Sequence, residues 1–141
     1  MATIIRTIHI DMDPADAWEA LSDFGHLHQR LVRGFVTDCA LDEPHVRTIT
    51  FFNGAVAKER LVGVDERARR LSYTLLASGL EPTHHNGSAQ IHAEQGGTRF
   101  EWITDVLPDT LAPAIADLMD RGIEAIKITL EQPHQHATTK P

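Results

Sequence analysis

The sequence predicts an α+β fold in which a seven-stranded antiparallel sheet curves around one long C-terminal helix, with two short helices after the first strand. Three observations predict it. Six segments between Phe35 and Leu107 read as strands separated by short turns, and such spacing favours hairpins over parallel crossover units. A further β-branched segment precedes them, followed by helix-start chemistry. After Leu107 the pattern changes to apolar residues at three- and four-residue steps.

The elements follow in order. Thr3 to Ile10 is rich in Ile and Thr, which suit a pleated surface. In Asp13-Pro14-Ala15-Asp16, Asp13 can cap free backbone N–H groups and Pro14 suits the first helical position. That helix runs to about Leu21 with Ala17, Trp18 and Leu21 on one face, Trp18 being a core residue. Ser22 or Asp23 can cap a second short helix through Leu27 to Arg30, and Gly34 ends the pair. Strands are expected over 35–41, 46–52, 55–63, 70–78, 84–94 and 98–107, with turns such as Asn53-Gly54 and Gly96-Gly97 between them. Asp109 or Thr110 opens the last helix, although Pro113 belongs in a first turn and moves the start towards Ala112. Its apolar stripe is Leu111, Ile115, Leu118, Met119, Gly122, Ile126 and Leu130, and Pro133 stops it. One domain over residues 1–132 and a flexible polar tail over 133–141 are expected.

Bulk properties narrow the function classes. A chain of 141 residues buries enough surface to be stable without a disulfide or metal. Acidic residues outnumber basic ones, 20 to 13, for a net charge of −7. Such a surface repels phosphate backbones, and Arg67, Arg69 and Arg70 fall at a turn, so no nucleic-acid partner is expected. Cys39 stands alone. No secretory pattern opens the chain, and no apolar run approaches the ~20 residues of a membrane span. A cytoplasmic protein without stable membrane insertion is the expectation. A homodimer is compatible with the sequence.

Alternation assigns the concave face. With Lys58 and Arg60 outward, Ala57, Glu59, Leu61 and Gly63 face inward. Thr48 and Thr50 outward leave Arg47, Ile49 and Phe51 inside. A three-residue loop Phe52-Asn53-Gly54, with Gly54 left-handed, sets Arg47 across from Glu59; a two-residue Asn-Gly turn would set Thr48 there. The first register keeps one face polar on both strands and is preferred. Leu71, Tyr73 and Leu75 face inward next, then His85, Gly87, Ala89 and Ile91. On 98–107, Phe100 and Trp102 inward compete with Arg99, Glu101 and Ile103, and apolar alternation favours the former.

A curved sheet gripping a helix leaves a hollow, the usual ligand site of such a shape. Its expected ligand-binding wall takes Ile49, Phe51, Ala57, Leu61, Tyr73, Leu75, Gly87 and Trp102 from the strands. Leu118, Met119, Gly122 and Ile126 come from the helix. Arg47, Glu59 and His85 are the catalytic candidates: Arg polarises a carbonyl, Glu moves a proton, and His titrates near neutrality. The competing structural reading makes Arg47 and Glu59 a buried salt bridge and His85 a hydrogen-bonded wall residue. His26 with His28, His84 with His85 and His134 with His136 lack the three or four convergent ligands that zinc needs, so no metal is expected. No serine-hydrolase order, phosphate loop or dinucleotide fingerprint is present, and no cofactor is expected.

Several stretches together resemble the polyketide cyclase/dehydrase family of the START-like (SRPBCC) superfamily. They are Pro14-Ala15-Asp16-Ala17-Trp18-Glu19-Ala20-Leu21, Val46-Arg47-Thr48-Ile49, Lys58-Glu59-Arg60-Leu61, Arg69-Arg70-Leu71-Ser72-Tyr73 and Gly97-Thr98-Arg99-Phe100-Glu101-Trp102. Birch-pollen-type allergens and plant abscisic acid receptors are more distant likenesses. The resemblance implies a helix-grip fold with a large cavity, and functions ranging from aromatase/cyclases to ligand receptors and lipid carriers. It also implies that Glu59 is a cavity carboxylate beside the ligand and that Tyr73 and His85 line the cavity. The expected function is binding of a hydrophobic, oxygen-bearing small molecule, by a binder or by a cofactor-independent enzyme whose reaction is aldol-type cyclisation or dehydration. The alternative is a non-catalytic carrier or sensor of a lipid or other hydrophobic ligand.

Overall fold

The computed structural model describes residues 1–132, so the segment expected to be a polar tail lies outside the described residues. The elements are β1 (Ala2–Ile10), α1 (Pro14–Ser22), α2 (Leu27–Arg30), β2 (Val36–Glu43), β3 (Val46–Phe51), β4 (Val56–Asp65), β5 (Arg70–Ala77), β6 (His84–Glu94), β7 (Gly97–Leu107) and α3 (Ala112–Glu131). All seven strands join one sheet in the order β1-β7-β6-β5-β4-β3-β2, every neighbouring pair antiparallel. With α3 on the concave face, this is the helix-grip architecture.

Local chemistry explains the helix ends. The Asp13 carboxylate accepts a 2.9 Å hydrogen bond from the Ala15 amide and starts α1 one residue before Pro14. Asp23 does not cap the next helix. Its carboxylate is engaged by His26 Nδ1 at 2.8 Å and Arg30 Nη1 at 3.0 Å, so a 3₁₀ turn over Phe24–His26 precedes α2. Another 3₁₀ turn, Asp109–Leu111, precedes α3, which places Pro113 in the first turn where its missing N–H costs nothing.

The β3–β4 register follows from a three-residue loop. Gly54 has φ +88°, the Phe51 amide donates to Ala55 O at 2.8 Å, and Arg47 pairs with Glu59. Farther along β4 the alternation slips. Leu61 pairs with Tyr73 but Gly63 pairs with Ser72, so Val62 is an extra residue and the face reverses beyond it. Gly63, expected to face inward, is therefore exposed on the outer side with Ser72. A second slip in β5 leaves Leu76 as the extra residue between Leu75, opposite Glu59, and Ala77, opposite Lys58.

Two apolar clusters fill the interior. The larger joins α1 and α2 through Trp18, Leu21 and Leu27 to Ile49, Leu71, Ile91 and Phe100 on the sheet and to Ile126 and Leu130 on α3. The smaller unites Ile4, Val106, Ile115 and Met119. Trp18 is a core residue whose indole N–H donates to Glu66 at 2.9 Å, tying α1 to the β4–β5 turn. The C-terminal end of α3 is clasped to the end of β1. Lys127 Nζ donates to His9 O at 2.7 Å and to Glu131 at 2.8 Å, and the same Glu131 oxygen accepts the Asp11 amide at 2.8 Å.

Candidate functional site

A cavity of about 420 Å³ lies between the sheet and α3. Its wall includes Ile49 and Phe51 of β3, Ala57 of β4, Tyr73 and Leu75 of β5, Trp102 of β7, and Leu118, Met119 and Ile126 of α3. Arg47, Glu59 and His85 also line it. On β7 the inward residues are Phe100 and Trp102, while Glu101 pairs with His92 at 3.0 Å and Arg99 lies beside Glu94 at 3.8 Å.

Three residues expected in the wall stand behind it. Leu61 packs against the larger core cluster and is not a lining residue. At Gly87 a Cβ would fall 2.4 Å from Tyr73 Cζ, so the Tyr73 ring, and not a ligand, occupies the space that the missing side chain leaves. At Gly122 a Cβ would fall 2.8 Å from Trp102 and 3.3 Å from Phe35. Both glycines let an aromatic ring approach a backbone closely, and Tyr73, Trp102 and Phe35 form the surface. The sequence reading also missed a wall. Leu21, Leu27, Leu31, Val32 and Phe35 close one side, and Ser78, Gly79 and Leu80 belong to the same lining. The i, i+4 spacing of Leu27 and Leu31 carried that signal.

Arg47 and Glu59 are the charged residues of the wall, 6% and 8% exposed. Arg47 Nε and Nη2 donate to one Glu59 oxygen, Oε1, at 2.8 and 2.7 Å. Nη1 donates to Phe24 O at 3.2 Å, and the guanidinium lies 3.9 Å from the centre of the Phe24 ring. Each Arg47 nitrogen thus has a protein partner. Among the described residues, no group hydrogen-bonds Glu59 Oε2, and that oxygen is not a sealed, partnerless atom.

The Tyr73 hydroxyl accepts from Trp102 Nε1 at 2.9 Å, and burial, reinforced by the Glu59 charge, pushes its pKa well above the usual phenol range. His85 stands where the β5–β6 ladder ends. Pairing stops at Tyr73–Gly87; beyond it, Thr74 Oγ1 donates to His85 O at 2.7 Å and the Leu75 amide donates to His85 Nδ1 at 3.2 Å. A ring nitrogen replaces the absent strand carbonyl. That bond leaves Nδ1 unprotonated and puts the neutral ring's hydrogen on Nε2. Burial holds the imidazole pKa below its ordinary value, against the opposing pull of Glu59. A second, polar hollow shares Leu75 and His85 with the cavity and is otherwise lined by residues such as Thr74, His84 and Asn86.

The described residues contain no group of three or more His, Cys, Asp or Glu side chains placed to hold a metal ion; His134 and His136 lie outside them. No described helix is long and apolar enough to cross a membrane.

The family model described as polyketide cyclase/dehydrase and lipid transport matches residues 1–131. The chain belongs to this family. Solved structures that are similar in fold include an uncharacterised protein from Bacillus thuringiensis, 17% identical, with TM-score 0.82 over 93% of this chain and 100% of that one. Major latex-like protein 151 from Panax ginseng is 17% identical, with TM-score 0.74 over 93% and 98% of the two chains. A START superfamily protein from Mycobacterium smegmatis is 13% identical, with TM-score 0.70 over 92% and 94%. Comparison with curated proteins by sequence finds no match.

Proposed function

We propose that the chain binds a hydrophobic, oxygen-bearing small molecule in the cavity under α3 and that binding is its primary role. The observation that carries this reading is an apolar hollow of about 420 Å³ with a buried, one-sided Arg47–Glu59 pair in its wall. That volume falls in the range of small-molecule sites, where a few polar groups set orientation. The family's description, which couples cyclase and dehydrase chemistry with lipid transport, supports the same reading.

A cyclase- or dehydrase-like reaction is the second reading, favoured by Glu59 Oε2, which is free to take a proton from a bound carbon acid. Arg47 supports it less, because each of its nitrogens already serves Glu59 or Phe24.

Native mass spectrometry of the purified protein tests the binding role. A co-purifying adduct that is released on denaturation is expected. Bare protein, together with failure to bind any of a panel of neutral aromatic probes, overturns it. Glu59→Gln separates the two readings: an enzyme retains substrate binding and loses turnover, whereas a carrier changes only in affinity.

A further inference from the structure

We infer that the cavity selects a neutral ligand that donates a hydroxyl hydrogen to Glu59 Oε2, and that it rejects carboxylates and other anions of the same size. The inference rests on the binding role proposed above and concerns which chemistry that site accepts.

The asymmetry of the salt bridge is the starting point. Three of the five Arg47 N–H donors are used here: those of Nε and Nη2 converge on Oε1, and one of Nη1 meets Phe24 O. The cation is thus tied to protein acceptors through each of its three nitrogens, while its partner keeps an oxygen for a ligand. A carboxylate oxygen accepts hydrogen bonds and cannot give them. Whatever meets Oε2 must supply the hydrogen, as an alcohol or phenol does. Such charge-assisted bonds are stronger than neutral ones.

Charge balance gives the second half. Arg47 and Glu59 cancel, so the wall is neutral before a ligand enters. Its other polar side chains, Asn53, Tyr73, Ser78, His85 and Thr104, carry no positive charge while His85 is neutral. The His85 ring is held neutral by the amide hydrogen at Nδ1 and by burial. An anion entering this space would lose its water beside Glu59 with no unpaired cation to meet, a costly transfer. A neutral hydroxyl bears no such penalty.

The test uses three probes with one carbon skeleton: naphthalene, 2-naphthol and 2-naphthoate. Each is titrated into the complete chain at neutral pH and followed by ¹⁵N–¹H amide shifts. The expected order is 2-naphthol tightest, by about tenfold or more over naphthalene, as a hydrogen bond to a charged group implies. Naphthoate binds weakest. Equal affinities, or naphthoate tightest, overturn the inference and leave the small-molecule role standing. No binding by any probe overturns both. Glu59→Gln supplies an independent readout, because it leaves the Arg47 charge unbalanced. Naphthoate should then gain about tenfold or more, and an unchanged naphthoate affinity in the folded variant counts against the inference. Should that variant fail to fold, the series on the unmodified chain still decides.

Discussion

Arg47 and Glu59 are cross-strand neighbours that are almost fully enclosed, so each depends on the other for its charge to be tolerated. Removing one leaves the other buried and uncompensated. Arg47→Met and Glu59→Leu should each cost about 3–5 kcal/mol, and the double variant much less than their sum, read from urea denaturation midpoints. Histidine titration acts at the same scale, in two opposed directions. His85 is held below its unfolded value of 6.5, so the unfolded chain takes up the extra proton and stability falls as pH drops below that value. His9, beside Glu94 and Asp11, is raised, so its contribution is present below 6.5 and fades as pH rises through its folded value. His85→Gln keeps an acceptor for the Leu75 amide but removes the titration. It should flatten the loss of urea stability between neutral and mildly acidic pH, whereas His9→Gln should steepen it.

Within the elements, the features that shape the site are departures from regularity. The alternation of β3 and the first half of β4 was legible because Thr48, Thr50, Lys58 and Arg60 mark the outer face. The slip at Val62 was not, since Leu61-Val62-Gly63-Val64 is apolar on both parities and offers no residue that fixes a face. Periodicity likewise found α3 but not the burial of Ile123 and Thr129; the Thr129 hydroxyl is satisfied by accepting the Arg33 amide at 3.0 Å. The glycines misled for a similar reason: a small residue on an inner face signals room, but not what fills it. Gly87→Ala tests this. Its methyl group would overlap the Tyr73 ring, so the variant should lose about 1–3 kcal/mol and disturb the Tyr73–Trp102 hydrogen bond. The indole Nε1–H resonance of Trp102 reports the second effect.

For the molecule as a whole, the cavity is a stability deficit kept for function. Unfilled space forfeits packing, at about 24 cal/mol per Å³ when created by truncation, so side chains grown into it should stabilise the fold as they exclude a ligand. Ala57, buried in the wall opposite Ile49, is a suitable place. Ala57→Leu should raise the thermal midpoint by roughly 2–4 °C and weaken 2-naphthol binding by about tenfold or more, measured by calorimetry and NMR titration. A midpoint that falls would mean that the local wall cannot accept the extra atoms. The overall architecture was legible in the order of elements, whereas the wall made by α1, α2 and the segment before β2 was not, because it depends on how those helices dock.

Strand order carries one more consequence. Among the described residues, the first strand has its only sheet neighbour in the last, with Ile4 opposite Thr104, while β2 occupies the far edge. The opening segment therefore waits, during synthesis, until the other six strands have been made. Refolding of such a non-local arrangement belongs in the millisecond-to-second range, and a chain cut before β7 leaves β1 with nothing to zip onto.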